Sequence, residues 1–243
     1  MDALDKLIFY NIFVNPRVSK RELARKLNLS LSSLIYRLNK LQKFIEGYYT
    51  YVDPVILGYK KAIVIHNQEN ISNESVRFKC IEGYIISEIF GEDINKEIEK
   101  INPIFYQIIP NRKYSLSKLD YKIIDLLVKN PLISDKEIAI ELGKSSKTIN
   151  RHLRFLVSNN FVKIVPRIDI AKLDFLLYSL ISQTINKQIK HIFKYPPIYI
   201  GFAENLEEIV KLNKFGKISI KSEYKINNWI FNDQKFRTQF YLN

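Results

Sequence analysis

Two short stretches hold the side chains best suited to chemistry. One follows Ser30 and offers Leu31, Ser32, Ser33, Tyr36, Arg37 and Lys40; the other follows Ser145 and offers Ser146, Lys147, Thr148, Arg151, His152 and Arg154. Serine and threonine hydroxyls bond to base edges or phosphates, and arginine and lysine pair with guanine or with phosphate oxygens. This is the chemistry of recognising a polyanionic duplex, not of breaking bonds. Lys147 and Arg151 stand as base readers. Arg37, Lys40 and Arg154 stand as phosphate clamps.

Residues for bond-breaking chemistry are scattered. His66, His152 and His191 lie in different segments, with no H-x-x-x-H or H-x-x-E-H spacing, so no metal site is expected. Cys80 stands alone, which rules out an intramolecular disulfide and a cysteine-based zinc site. It reads as a small buried apolar residue. No Walker loop, glycine-rich dinucleotide fingerprint or G-x-S-x-G elbow occurs. Asn205-Leu206-Glu207-Glu208 reads as a solvated helix face. No catalytic residue and no cofactor are expected.

The elements that hold the two stretches come from an internal repeat. Leu4–Leu41 aligns without gaps on Leu119–Leu156 at an offset of 115, with 12 identities in 38 positions. Each copy reads as three helices. The first, Leu4–Val14 or Leu119–Lys129, ends at Asn-Pro, because the residue before proline avoids helical angles. Ser19 and Ser134 cap the second helix, with Glu22 and Glu137 three residues on to complete a capping box. Asn28 and Gly143 suit the left-handed turn that ends it. Ser30 and Ser145 cap the third, where Leu34, Leu38 and Leu41, or Ile149, Leu153 and Leu156, fall on the inward face. A capped short helix, a tight turn and a second capped helix make a helix-turn-helix. Tyr48–Val52 and Phe161–Val165 read as wings, with Asn160 at the turn before the second.

Between and after the modules, strands are expected at 60–67, 84–90, 104–109, 175–183, 198–203 and 217–225. Helices are expected at 72–80, 93–101, 185–194 and 205–214. Each half is thus a winged module followed by a βα unit with three good strands. Segment 226–243 has no assigned element. It holds the lone tryptophan, Trp229, and is expected to dock.

The chain has 243 residues, a formal charge of +13, 47% apolar residues and few glycines, which implies packed domains and a polyanionic partner. Residues 1–58 and 114–174 each carry a net +4, whereas 59–113 is neutral, so the excess follows the modules and the tail. The start, Met1-Asp2-Ala3-Leu4-Asp5, lacks a basic and apolar leader, and no long apolar run is present. The expectation is a cytoplasmic protein with no membrane association.

These windows resemble the Lrp/AsnC family of prokaryotic regulators. The matching residues are Leu4-Asp5, Asn15-Pro16-Arg17-Val18-Ser19, Glu22-Leu23-Ala24, Leu27, Leu29-Ser30, Leu34, Arg37-Leu38, Leu41, Val52-Asp53-Pro54 and Leu57-Gly58-Tyr59. The second copy keeps Leu119-Asp120, Ile133-Ser134, Glu137-Ile138-Ala139, Leu142-Gly143, Ser145, Ile149, Leu153, Leu156 and Asp169 with Leu173. Gly91-Glu92-Asp93 echoes the family's glycine-plus-acidic motif. The resemblance implies a sequence-specific double-stranded DNA-binding transcription regulator, with a small-molecule effector left open and a homodimer possible. It also admits a tetrapyrrole (siroheme-type) decarboxylase-like enzyme, with His66 or His191 at the substrate. A low-specificity chromatin- or replication-associated DNA binder shares every feature. His152 in place of Arg37 implies that the two modules read different DNA.

The expected fold is α+β: two winged helix-turn-helix modules, 1–58 and 114–174, alternating with two small βα (truncated ferredoxin-like) units, 59–113 and 175–243.

Overall fold

The computed structural model describes residues 1–110, 114–183 and 191–241. In chain order its elements are α1 (Ala3–Val14), α2 (Lys20–Lys26), α3 (Leu31–Leu41), β1 (Ile45–Val52), β2 (Lys60–His66), β3 (Glu74–Cys80) and β4 (Ile85–Gly91). There follow α4 (Ile94–Ile101), β5 (Phe105–Ile109), α5 (Lys118–Lys129), α6 (Asp135–Glu141), α7 (Ser146–Ser158), β6 (Val162–Ile168) and β7 (Leu176–Ile181). The chain closes with β8 (His191–Tyr195), β9 (Ile198–Ala203), α8 (Leu206–Leu212), β10 (Lys217–Ile226) and α9 (Gln234–Tyr241). The class is α+β.

The chain folds as two compact units that do not follow chain order. Boundaries at 58, 113 and 174 separate elements, whereas the units gather elements from distant parts of the sequence.

The first unit holds residues 1–47, 78–84 and 165–224. Its strands run in the order β10-β7-β9-β8, antiparallel, with Ser219 opposite Ser179, Tyr178 opposite Gly201 and Tyr195 opposite Ile198. Ile209 and Leu212 of α8 pack on Tyr178, Leu180 and Ala203. Helix α1 buries Phe9 and Phe13. Phe9 lies edge-on to Phe175 at 5.1 Å, and Phe13 edge-on to Phe202 at 4.8 Å. Aromatic side chains bury large areas, so these contacts fix α1 to its unit.

The second unit holds 48–77, 85–164 and 225–243. Its strands run β5-β2-β4-β3, with Val64 opposite both Ser87 and Tyr106. Ile94, Ile98 and Ile101, at helical spacing on α4, cover Ala62, Val64 and Ile89. A second core joins α5, α6 and α7 to Val52, Ile56, Ile230 and Phe236. Within segment 226–243, which had no assigned element, the described residues up to 241 dock through a short turn at Trp229–Asn232 and through α9.

Two sequence expectations need correction. Residues 74–80 form a strand, not a helix: Val76, Phe78 and Cys80 alternate inward with period two, a pattern masked by the polar Glu74 and Ser75, which are buried too. Among the described residues each half therefore has four strands instead of three, and between β2 and β3 it is a helix that is missing. The expected helix 185–194 lies outside the described residues up to 190, and 191–195 is a strand. The strands read as wings are present as β1 and β6, which pair with each other as a two-stranded ribbon. Asn160 does take positive φ, at 59°.

Candidate nucleic-acid interface

Both copies build the helix-turn-helix from the caps legible in the sequence. Ser19 accepts from the Glu22 amide at 3.1 Å, and Ser134 accepts from the Glu137 amide at 3.2 Å. Only the second copy closes the box, with the Ser134 amide donating to Glu137 at 2.8 Å. Asn28 and Gly143 take φ of 53° and 59° at the turn. Ser30 and Ser145 then cap α3 and α7 through the amides of Ser33 and Thr148, both at 3.1 Å. Leu34 and Leu41 of α3, and Ile149, Leu153 and Leu156 of α7, are buried. Packing of that face turns the opposite face outward.

The structure sorts the proposed contacts unevenly. Ser146, Lys147, Arg151 and Arg154 are exposed on α7. None of the three cations has an acidic partner among the described residues. Thr148 is half-buried, with its hydroxyl 3.0 Å from Ser145 Oγ. On α3, Ser32 and Tyr36 are exposed, Tyr36 at 74%, and Ser33 is half-buried.

Arg37 and Lys40 are engaged inside their own module. Arg37 Nη1 donates to Asp5 Oδ1 at 2.6 Å and to Asp2 Oδ2 at 2.7 Å, and Lys40 Nζ donates to Asp5 Oδ2 at 2.8 Å. Asp5 is fully buried. Burial alone would raise its pKa, but the bonds from Lys40 and Arg37 outweigh that and hold it below the usual aspartate range. The hydrogen bond from Arg37 lowers Asp2 in the same direction. The four groups sum to zero charge, and Arg37 and Lys40, read above as phosphate clamps, tie α3 to α1. His152 is held likewise, its Nδ1 2.7 Å from Asp120 Oδ1.

A basic helix escaped the sequence reading. Lys20, Arg21, Arg25 and Lys26 of α2 are all exposed, against one acid, Glu22. Helix α6 at the matching place is acidic, with Asp135, Glu137 and Glu141 against Lys136. The signal lay in the sequence as the doublets Lys20-Arg21 and Arg25-Lys26, absent from Asp135-Lys136 and Ile140-Glu141.

The histidines considered for catalysis sit differently. His66 is 2% exposed. The Gln68 amide donates to its Nδ1 at 3.2 Å, which leaves Nε2 to donate to Ser87 Oγ at 2.9 Å. Ser87 in turn donates to Glu74 at 2.5 Å. Burial lowers the His66 pKa. Glu74 also accepts from Arg77 Nε and Asn227 Nδ2, each at 3.0 Å. His191 is half-buried on β8 beside Tyr199, and burial lowers its pKa too. Nearby on the same half-sheet as His66, Lys61 bridges Asp53 at 2.6 Å and Glu88 at 3.4 Å. Burial works against the Lys61 charge, but Glu88 and Asp53 hold its pKa above the usual lysine range.

A cleft of about 770 Å³ opens in the unit that holds α5–α7, over Tyr59, Phe90 and Trp229. Gly91, Glu92 and Asp93 line it. A side chain at position 91 would meet Glu97 Cγ at 2.8 Å. The charges along its rim are largely matched: Lys235 pairs with Glu92, and Lys100 with Glu97 at 2.8 Å. Among the described residues no group of three or more His, Cys, Asp or Glu side chains is placed to hold a metal, and no helix is long and apolar enough to cross a membrane.

Two stretches of the chain, 1–43 and 116–163, match the winged helix-turn-helix DNA-binding family. Among solved structures, the siroheme decarboxylase NirDL aligns over 98% of this chain and 97% of its own, at 12% identity and a TM-score of 0.43. LrpC of B. subtilis is 20% identical over 48% of this chain and 99% of its own, with a TM-score of 0.32. A transcriptional regulator from Neisseria meningitidis, in complex with L-Met, is 16% identical over 48% and 94%, also with a TM-score of 0.32. No curated protein matches the chain in sequence.

Proposed function

We propose that this chain is a sequence-specific double-stranded DNA-binding transcription regulator whose third and seventh helices enter the major groove. The observation that carries this reading is the outer face of α7. Ser145 caps the helix, Ile149, Leu153 and Leu156 anchor its back, and Lys147 and Arg151 stand exposed within its first two turns. In a helix-turn-helix those turns of the second helix meet base edges. Lysine and arginine there bond to guanine O6 and N7. Arg154, one turn further on, faces the backbone. Ser32, Ser33 and Tyr36 offer hydroxyls from α3, and Ser146 and Thr148 from α7.

Selection from a pool of random duplexes tests the proposal. The enriched duplex should bind about 10³-fold or more tightly than a random one at the same salt concentration. Equal affinity for both would make the chain a low-specificity DNA binder. No binding at low ionic strength would overturn the proposal. The purified chain should show no visible absorbance, whereas a bound tetrapyrrole would give a visible band and favour the enzymatic alternative.

A further inference from the structure

The two modules have placed their free positive charge on different helices. In the first, α2 carries four exposed cations and one acid, a net +3, while the cations of α3 are neutralised by Asp2 and Asp5. In the second, α6 carries three acids and one lysine, a net −2, while α7 presents Lys147, Arg151 and Arg154. The repeat aligns Lys147 with Ser32, Arg151 with Tyr36 and Arg154 with Asn39. The outer face of α3 therefore has a hydroxyl, a phenol and an amide at the places where α7 has three cations.

The two helices of such a module meet different parts of a duplex. The first lies across the sugar-phosphate backbone, and the second lies in the groove. Charge on the first helix meets phosphates, which carry no sequence information. Charge on the second meets base edges, which do. We propose that the modules divide the work: α2 is a sequence-independent phosphate clamp formed by Lys20, Arg21, Arg25 and Lys26, and α7 is the principal reader of sequence. This rests on the DNA-binding reading above and assigns to α2 a site that the recognition helices do not include. The Asp5 brace fits the division. It withholds the α3 cations from the duplex and leaves α2 as the charged contact of its module.

The test compares two multiple variants of the full chain on the selected duplex and on a random one, over a range of salt concentrations. All the altered side chains are exposed, and an unchanged melting curve verifies folding. Replacing Lys20, Arg21, Arg25 and Lys26 together by Gln should weaken both duplexes by the same factor. The salt dependence should flatten by about 0.9 in log–log slope for each phosphate that no longer meets a cation. The ratio of specific to random binding should stay constant. Lys147→Ala with Arg151→Ala should instead cut that ratio by about tenfold or more. An α2 variant that binds both duplexes like the parent chain, or that changes the ratio, overturns the division. So does an α7 variant that weakens both duplexes equally. A parent chain that ignores DNA altogether is the separate failure of the DNA-binding reading, and it is seen before any variant is made.

Discussion

His152 Nδ1 lies 2.7 Å from Asp120 Oδ1, and the repeat offset carries this pair onto Arg37 and Asp5, whose atoms are 2.6 Å apart. The same tie between the first and third helices persists although the partner on the third helix has changed. Asp120 keeps further partners, because the Ser117 hydroxyl and amide donate to its second oxygen at 2.6 and 2.8 Å. Asp5 instead gives both its oxygens to the cations of α3.

Asp5→Asn should therefore cost stability and add DNA affinity at once. At neutral pH the loss should be about 1–2 kcal/mol, since both cations keep partial access to water. The folded-state pKa of Asp5 lies below its unfolded value, so its contribution is present above the unfolded value and is lost as pH falls through the folded one. The gap between parent and variant should hence close in acid below the usual aspartate range, as denaturant titrations at several pH values will show. Lys40 loses its only acidic partner among the described residues while Arg37 keeps Asp2, so the salt dependence of random-duplex binding should also steepen, by up to about one unit. A variant with lower stability but an unchanged salt slope would show that Lys40 does not reach a phosphate.

Lys61→Ala should destabilise the chain by about 3–5 kcal/mol, because it leaves Asp53 and Glu88 buried and facing each other without their cation. Glu88 keeps Tyr51 and Ser75 as donors, at 2.7 and 2.6 Å, but these do not supply charge. The triple variant Lys61→Met, Asp53→Asn and Glu88→Gln should recover most of the loss. Urea unfolding of the single and triple variants decides this. Equal losses in the two would mean that packing, not charge, dominates.

Trp229 packs on Phe90 at 4.7 Å and on Tyr59 at 6.1 Å, and its Nε1 donates to the Val52 carbonyl at 3.2 Å. Trp229→Ala should cost about 2–3 kcal/mol, less than a fully enclosed ring would. As the chain has one tryptophan, its emission follows the unit of residues 48–77, 85–164 and 225–243 alone. Thermal melts by fluorescence and by circular dichroism should coincide only if both units unfold together.

The parts legible in the sequence are those governed by neighbours along the chain. The serine caps at 19, 30, 134 and 145, the positive φ at Asn28 and Gly143, and the inward Leu34 and Ile149 all follow from spacing over a few residues. The brace on Arg37 was not legible, because Asp5 stands more than thirty residues away and both look solvated on their own helices. Strand β3 was hidden for the same kind of reason. Its Glu74 and Ser75 are buried by partners on other elements, Ser87 and Glu88, which no local pattern announces. The basic face of α2 was legible in its two cationic doublets, but a short polar helix resembles any solvated one until the charges of α3 are found to be neutralised.

The interleaving of the units bears on how the chain is made. Phe9 and Phe13 leave the ribosome well before the rings they pack against, Phe175, Phe202 and Tyr224, are synthesised. Until then the apolar side of the first helix has no native cover and depends on a holding factor or on non-native collapse. A fragment that stops after residue 113 would lack all of those rings and leave Phe9 and Phe13 without them.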